Sequence, residues 1–183
     1  MTANQIAHKA APATVELRLD RVSRLYNSLD PSPFQEKELD AAADDYIVGS
    51  AEDLGNRPMR LAILLPEDEL ARPEAAHIAA SIRYHFTLRR DSERRRLRAM
   101  LWRGRTSLAI GIVFLVVCLV ARHLLAGSSS AIAQIFSEGL LIVGWVAMWG
   151  PLDIFLYGWW PIYSRHKLLQ RLSSLDVELR PIK

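Results

Sequence analysis

One cysteine, Cys118, in a chain of 183 residues excludes an intrachain disulfide and a cysteine-based metal site. A phosphate-binding glycine loop, a nucleophile elbow and a zinc-binding helix motif are also missing, and with them the common signatures of nucleotide, hydrolase and metalloprotease chemistry. His77 and His85 lie two helical turns apart, too far to share one metal ion. The acidic run Glu36, Glu38, Asp40, Asp44 and Asp45 lacks the glycine-centred loop that calcium prefers. It reads as a solvated face or as a docking face for basic side chains, including the chain's own arginines. No cofactor and no metal are expected. Residues 1–14 hold no apolar run of a secretory leader, so the first 80-odd residues are expected to stay in the cytoplasm.

Long apolar runs, by contrast, are present twice, at residues 107–126 and 139–160. Each is about 20 residues, which at roughly 1.5 Å per helical residue spans a hydrocarbon core of roughly 30 Å. Charge is distributed around them unevenly. Residues 1–82 carry a net −6, residues 83–107 a net +7, residues 108–163 a net −1 and residues 164–183 a net +3. The basic balance therefore belongs to the flanks of the apolar runs and not to a folded basic face, which argues against nucleic acid as a partner. Arginine and lysine excess on both outer flanks, with no charge in Gly127-Ser128-Ser129-Ser130, predicts a membrane hairpin with both termini inside. The expected location is the bacterial inner membrane, with the turn in the periplasm.

The domain organisation follows. Residues 1–13 are expected to be disordered, 14–82 a cytosolic domain, 83–105 an arginine-rich helix, and 106–126 the first transmembrane helix. A periplasmic turn at 127–131 leads to the second transmembrane helix, 132–161, then to a cytosolic amphipathic helix and short strand at 162–183. Residues equally far from the turn share a depth, so Arg122 is expected to pair with Glu138 near the outer interface, and Arg105 with Asp153 near the inner one. A subunit contact or an ion site are the alternatives for these charges. Arg94, Arg95, Arg96, Arg98, Arg103 and Arg105 are candidates for anionic-lipid contact. Trp102, Trp159, Trp160 and Tyr163 suit an interfacial aromatic belt. Ending the second span at Asp153 would leave the aromatic run after it, through Trp160, to be buried elsewhere.

In the N-terminal part, Val15 to Leu19 alternates apolar and charged residues, a strand period. Val22, Leu25, Tyr26 and Leu29 fall at helical spacing, and a second helix is predicted over 33–54, stopped by Gly55. Residues 59–65 read as a buried strand parallel to the first. A long helix is predicted from Pro73 into the first apolar run. Residues 176–180 alternate again and are expected to supply a third strand, because a two-stranded sheet is marginal alone. The fold class is thus a small α/β domain with a two- or three-stranded sheet plus a two-helix transmembrane hairpin, mostly helical overall.

The segment Asn27-Ser28-Leu29-Asp30-Pro31-Ser32-Pro33-Phe34, with Glu38-Leu39-Asp40 and Tyr46-Ile47-Val48-Gly49, resembles an uncharacterised family of small proteobacterial two-span membrane proteins. The resemblance implies the hairpin and no activity; from the residues alone the segment is a turn between helices with Phe34 as its anchor. The expected function is non-enzymatic: a hairpin that holds a small interaction or oligomerisation domain at the bilayer, with self-association or another membrane protein as partner. A small homo-oligomeric channel or transporter using Asp153, and an accessory subunit of a membrane enzyme, are the alternatives.

Overall fold

The computed structural model describes residues 12–33, 36–125 and 130–182. The expectations for residues 1–11, for Phe34 and for turn residues 127–129 lie outside these. The chain forms two compact units, one from the segments up to Asp91 and from Lys167 onward, the other from Ser92–His166.

In the first unit, β1 (Ala13–Arg18), β2 (Met59–Leu65) and β3 (Asp176–Pro181) make a parallel sheet in the order β1-β2-β3. Val15 is level with Leu61, and Leu61 with Val177. The last strand of the chain therefore completes the sheet begun by the first. Period-two alternation sends Val15, Leu17, Leu61, Ile63, Val177 and Leu179 into the core. The other face carries charge, and Arg60 donates to Asp176 across β2 and β3 at 2.8 Å. Ile47, Ile78, Ile82, Phe86, Leu169 and Leu172 are buried in the same core.

Two predicted helices are shorter than their periodicity suggests. The pattern at Val22, Leu25, Tyr26 and Leu29 yields a single 3₁₀ turn, Val22–Leu25, and Leu29 is 88% exposed. The helix predicted over 33–54 is α1 (Ala41–Asp53). Its true start is Asp40, whose side chain accepts from the Ala42 N–H at 3.0 Å. Ahead of it, the Asp30 carboxylate accepts from the Ser32 N–H at 2.9 Å and the Glu38 N–H at 2.7 Å, while Tyr26 and Leu39 form an antiparallel bridge. Pro31 and Pro33 have no N–H to give a helix, and Asp30 takes the donors that remain. Gly55 ends α1 at φ 57°, as expected. The Arg171 guanidinium then covers the carbonyls of Gly55 and Arg57, a cation at the negative end of α1.

After β2 come α2 (Glu67–Leu70), a 3₁₀ turn (Pro73–His77) and α3 (Ile78–Leu125), an unbroken helix of 48 residues. The return path is α4 (Ala131–Asp153), a π-helical stretch (Ile154–Gly158) and α5 (Trp159–Leu172). The helix does not stop at Asp153. The π stretch lies between Pro151 and Pro161, each of which withholds an N–H from the helical ladder, and the Trp159 indole donates to the Phe155 carbonyl at 2.9 Å.

Within the second unit, α3 packs antiparallel on α4 and on the π-helical stretch through small residues. A Cβ on Gly104 would come 2.8 Å from Ile154, one on Gly111 3.1 Å from Met148, and one on Gly144 2.8 Å from Leu115; one on Gly158 would strike Met100. These contacts lie on one register. Gly104, Gly111 and Cys118 recur every seven residues on α3, and Ser137, Gly144, Pro151 and Gly158 do so on the returning helix. A seven-residue repeat of small side chains is the pattern of two closely approached helices with a left-handed crossing. Ile154 and Phe155 seat on Gly104, which is where the predicted aromatic overhang begins to bury itself.

Candidate functional site

The most concentrated polar chemistry in the first unit joins α1 to α3. His85 is 8% exposed; its Nδ1 accepts from the Leu39 N–H at 3.4 Å, and its Nε2 lies 3.1 Å from Asp44 Oδ1. With Nδ1 accepting, the ring proton sits on Nε2 and points at Asp44. Arg89 donates to the other Asp44 oxygen. Burial alone would raise the Asp44 carboxyl, but the His85 and Arg89 hydrogen bonds and the Arg89 charge outweigh it and hold the group below the usual carboxylate range. Asp44 thus leaves the acidic run and meets the chain's own arginine, one of the two readings of that run. The geometry is that of a pinned helix junction, in which each group is spent on a neighbour.

A second buried acid was not legible in the sequence. Glu69 of α2, 4% exposed, accepts the Val22 N–H at 2.8 Å and pairs with Arg72 at 3.0 Å. It caps a 3₁₀ turn 47 residues away, a long-range role that local pattern does not reveal.

The second unit carries the distinctive surface. Twelve Leu, Ile, Val and Phe residues lie between Ser107 and Leu125, and most of their side chains point outward: Ile110 is 66% exposed and Val113 64%. Among the described residues, two helices are long and apolar enough to cross a membrane, and only 11% of each apolar window is buried. A groove of about 540 Å³ between the helices, walled by Cys118, Ala121, Phe136 and Leu140, is likewise apolar.

The predicted site residues divide on inspection. Arg94, Arg95, Arg96, Arg98, Arg103 and Arg105 are all exposed, as a lipid-contacting set requires. Trp102, Trp160 and Tyr163 are 69%, 64% and 48% exposed. Trp159 is half-buried instead, with ring centroids 5.7 Å from both Trp160 and Tyr163. The two predicted ion pairs are not formed: among the described residues Arg122 and Glu138 do not pair, nor do Arg105 and Asp153, and all four are exposed. The helix register does set Arg105 level with Asp153, because Gly104 touches Ile154. Depth was readable from the spacing; facing direction was not. Among the described residues, the ion pair that joins α3 to the returning helix is Glu93 to Arg165 at 3.9 Å, with Glu93 also reaching Arg96 at 4.0 Å.

No family profile, curated protein or solved structure matches the chain.

Proposed function

We propose that this chain is a non-enzymatic, two-span protein of the bacterial inner membrane, whose helical hairpin holds a small α/β interaction domain at the cytoplasmic surface. The observation that carries the reading is β3. The chain leaves the first unit after Asp91, runs out and back through two apolar helices, and re-enters the same unit at Lys167 to finish its sheet. An even number of crossings is the arrangement that lets both ends of one sheet share one side of a bilayer.

Magnitudes support insertion over burial against protein. Twelve Leu, Ile, Val and Phe at roughly 0.3 to 0.6 kcal/mol each favour the bilayer by about 5 kcal/mol, against at most about 3 kcal/mol for Arg122. Arg122 lies near the end of the span, where its long side chain reaches the headgroups and the cost falls further. From Arg105 to Arg122 the helix rises about 25 Å, so the two arginines bracket an apolar band close to a hydrocarbon core. Arg94, Arg95, Arg96, Arg98 and Arg103 stand on the inner side of that band with Trp102, Trp160 and Tyr163, which is the order of a cytoplasmic interface.

An alkaline carbonate wash of membranes, followed by detergent extraction and crosslinking, tests the reading. The chain is expected to stay with the bilayer and then to give discrete oligomers or a stoichiometric partner. Release by the wash contradicts the membrane assignment, and a solitary monomer after extraction contradicts the interaction role.

A further inference from the structure

Asp153 is the sole acidic residue between Glu138 and Asp176, and it stands exposed on α4 with no partner among the described residues. Arg105 is exposed at the same level on α3 and is likewise unpaired. Helix geometry explains why they miss each other. Gly104 and Ile154 occupy facing positions, since a Cβ added at Gly104 would lie 2.8 Å from the Ile154 side chain. One residue onward along α3 and one residue back along α4 move in the same spatial direction. Both helices are right-handed, so that step turns both side chains in the same rotational sense by about 100°. Starting from positions that face each other, equal turns in one sense carry the two side chains to different sides of the hairpin. Arg105 and Asp153 are therefore level but diverging.

We propose that Arg105 of one copy pairs with Asp153 of the next in a homo-oligomer, and that the Asp153 face of α4 is the subunit interface. The proposal rests on the membrane reading above, because the bilayer supplies the register. Copies inserted in the same orientation around an axis normal to the membrane hold identical residues at identical depth. A base on one flank and an acid on another at one depth then meet between neighbours without any vertical slip. Arg105 can reach the headgroups on its long stem, but the short Asp153 carboxylate cannot, and pairing with Arg105 of a neighbouring copy removes the cost of leaving that acid unpaired toward lipid. The acid is also set in a surface suited to close it off. Trp149, one α-helical turn before Asp153, is 70% exposed, and Leu156, Tyr157 and Trp160 after it are 60%, 71% and 64% exposed. Large aromatic side chains around a central charge pair are the composition of an interface that excludes water. The pairing is head-to-tail, because base and acid lie on different flanks, so around an axis normal to the membrane it gives a ring where the rotation between copies closes.

The test uses two full-length copies with different affinity tags, both carrying Cys118→Ser, one with Arg105→Cys and the other with Asp153→Cys. Co-expressed in membranes and oxidised, this pair is expected to give a disulfide-linked heterodimer at least about tenfold above the depth-mismatched pair Arg105→Cys with Glu138→Cys. In a second arm, Asp153→Arg is expected to lower the crosslinked oligomer of the otherwise native chain several-fold, and Arg105→Asp with Asp153→Arg to restore it. Matched and mismatched pairs crosslinking equally, while the alkaline wash leaves both copies in the bilayer, overturns the interface and spares the membrane reading. Failure of the double reversal to restore the oligomer also overturns the pairing. Release of both copies by the wash overturns the two readings together.

Discussion

Asp44 on α1 and His85 on α3 share a hydrogen bond of 3.1 Å, and His85 reaches past it to hold the Leu39 N–H with its other ring nitrogen. One side chain thus ties three segments: the strand-like stretch before α1, α1 itself and the root of the long helix. Removing it takes the partner from one Asp44 oxygen, the other being held by Arg89, and from the Leu39 amide in a nearly dry place. His85→Ala is expected to cost the first unit about 2 kcal/mol or more, because a buried hydrogen bond to a charged group and a backbone donor both lose their partner. Thermal unfolding of the detergent-solubilised protein checks this, and a transition within about 1 °C of the native one contradicts the pinning role.

Acid should loosen the same unit in a defined window. Asp30 is held at about 2, first by the Glu38 N–H and then by Ser32, and Asp44 is also lowered. Both groups have folded values below their unfolded value of 3.8, so the stability they contribute is complete above that value and is lost as pH falls below it, for Asp30 through about 2. The melting temperature is expected to be flat from pH 7 to about 5 on this account and to drop between about pH 4 and 2. Asp30→Asn and Asp44→Asn should melt lower at pH 6 and show a shallower acid slope. An acid slope unchanged in both variants contradicts the assignment.

The third strand is expected to be indispensable to the first unit. Ending the chain after Ser174 removes Val177 and Leu179 from the core and the Asp176 partner of Arg60. The lost burial alone is about 3 kcal/mol, a fall in melting temperature on the order of 10 °C or more for a unit of this size. Unchanged melting of the truncated chain would show that the sheet does not need its last strand.

Much of this fold could be read from residue order. Period-two alternation marks the strands at Val15 and Val177, the apolar run around Leu61 marks the buried strand between them, and the uninterrupted run after Pro73 announces α3. Three things escaped, each for a physical reason. The extent of α1 was misjudged because Asp30 and Asp40 settle the path of the chain before it, and hydrophobic spacing does not register a carboxylate taking two backbone donors. Glu69 and His85 act on partners 47 and 46 positions away, beyond any local pattern. In the apolar helices, hydropathy is high on every side and so carries no facing information. The signal there is size: Gly104, Gly111 and Cys118 on one helix, Gly144, Pro151 and Gly158 on the other.

That size pattern makes its own prediction. Gly144 meets Leu115 and Cys118, whereas a Cβ at Gly139 or Gly150 would meet nothing within 4 Å. Gly144→Leu is expected to weaken the helix pair by about 1–3 kcal/mol through overpacking, and Gly150→Ala to be neutral. Unfolding in mixed micelles with increasing denaturing detergent separates them. Equal behaviour of the two variants would remove the seven-residue contact line from the account.

The most direct check of the hairpin is thiol accessibility in intact cells. In a Cys118→Ser background, single cysteines at Thr14, Ser130 and Ser174 are offered a membrane-impermeant maleimide before and after lysis. Ser130→Cys is expected to label in intact cells, and Thr14→Cys and Ser174→Cys only after lysis. Labelling of Thr14→Cys or Ser174→Cys from outside, or of Ser130→Cys only after lysis, would contradict a two-span protein with its sheet assembled on the cytoplasmic side.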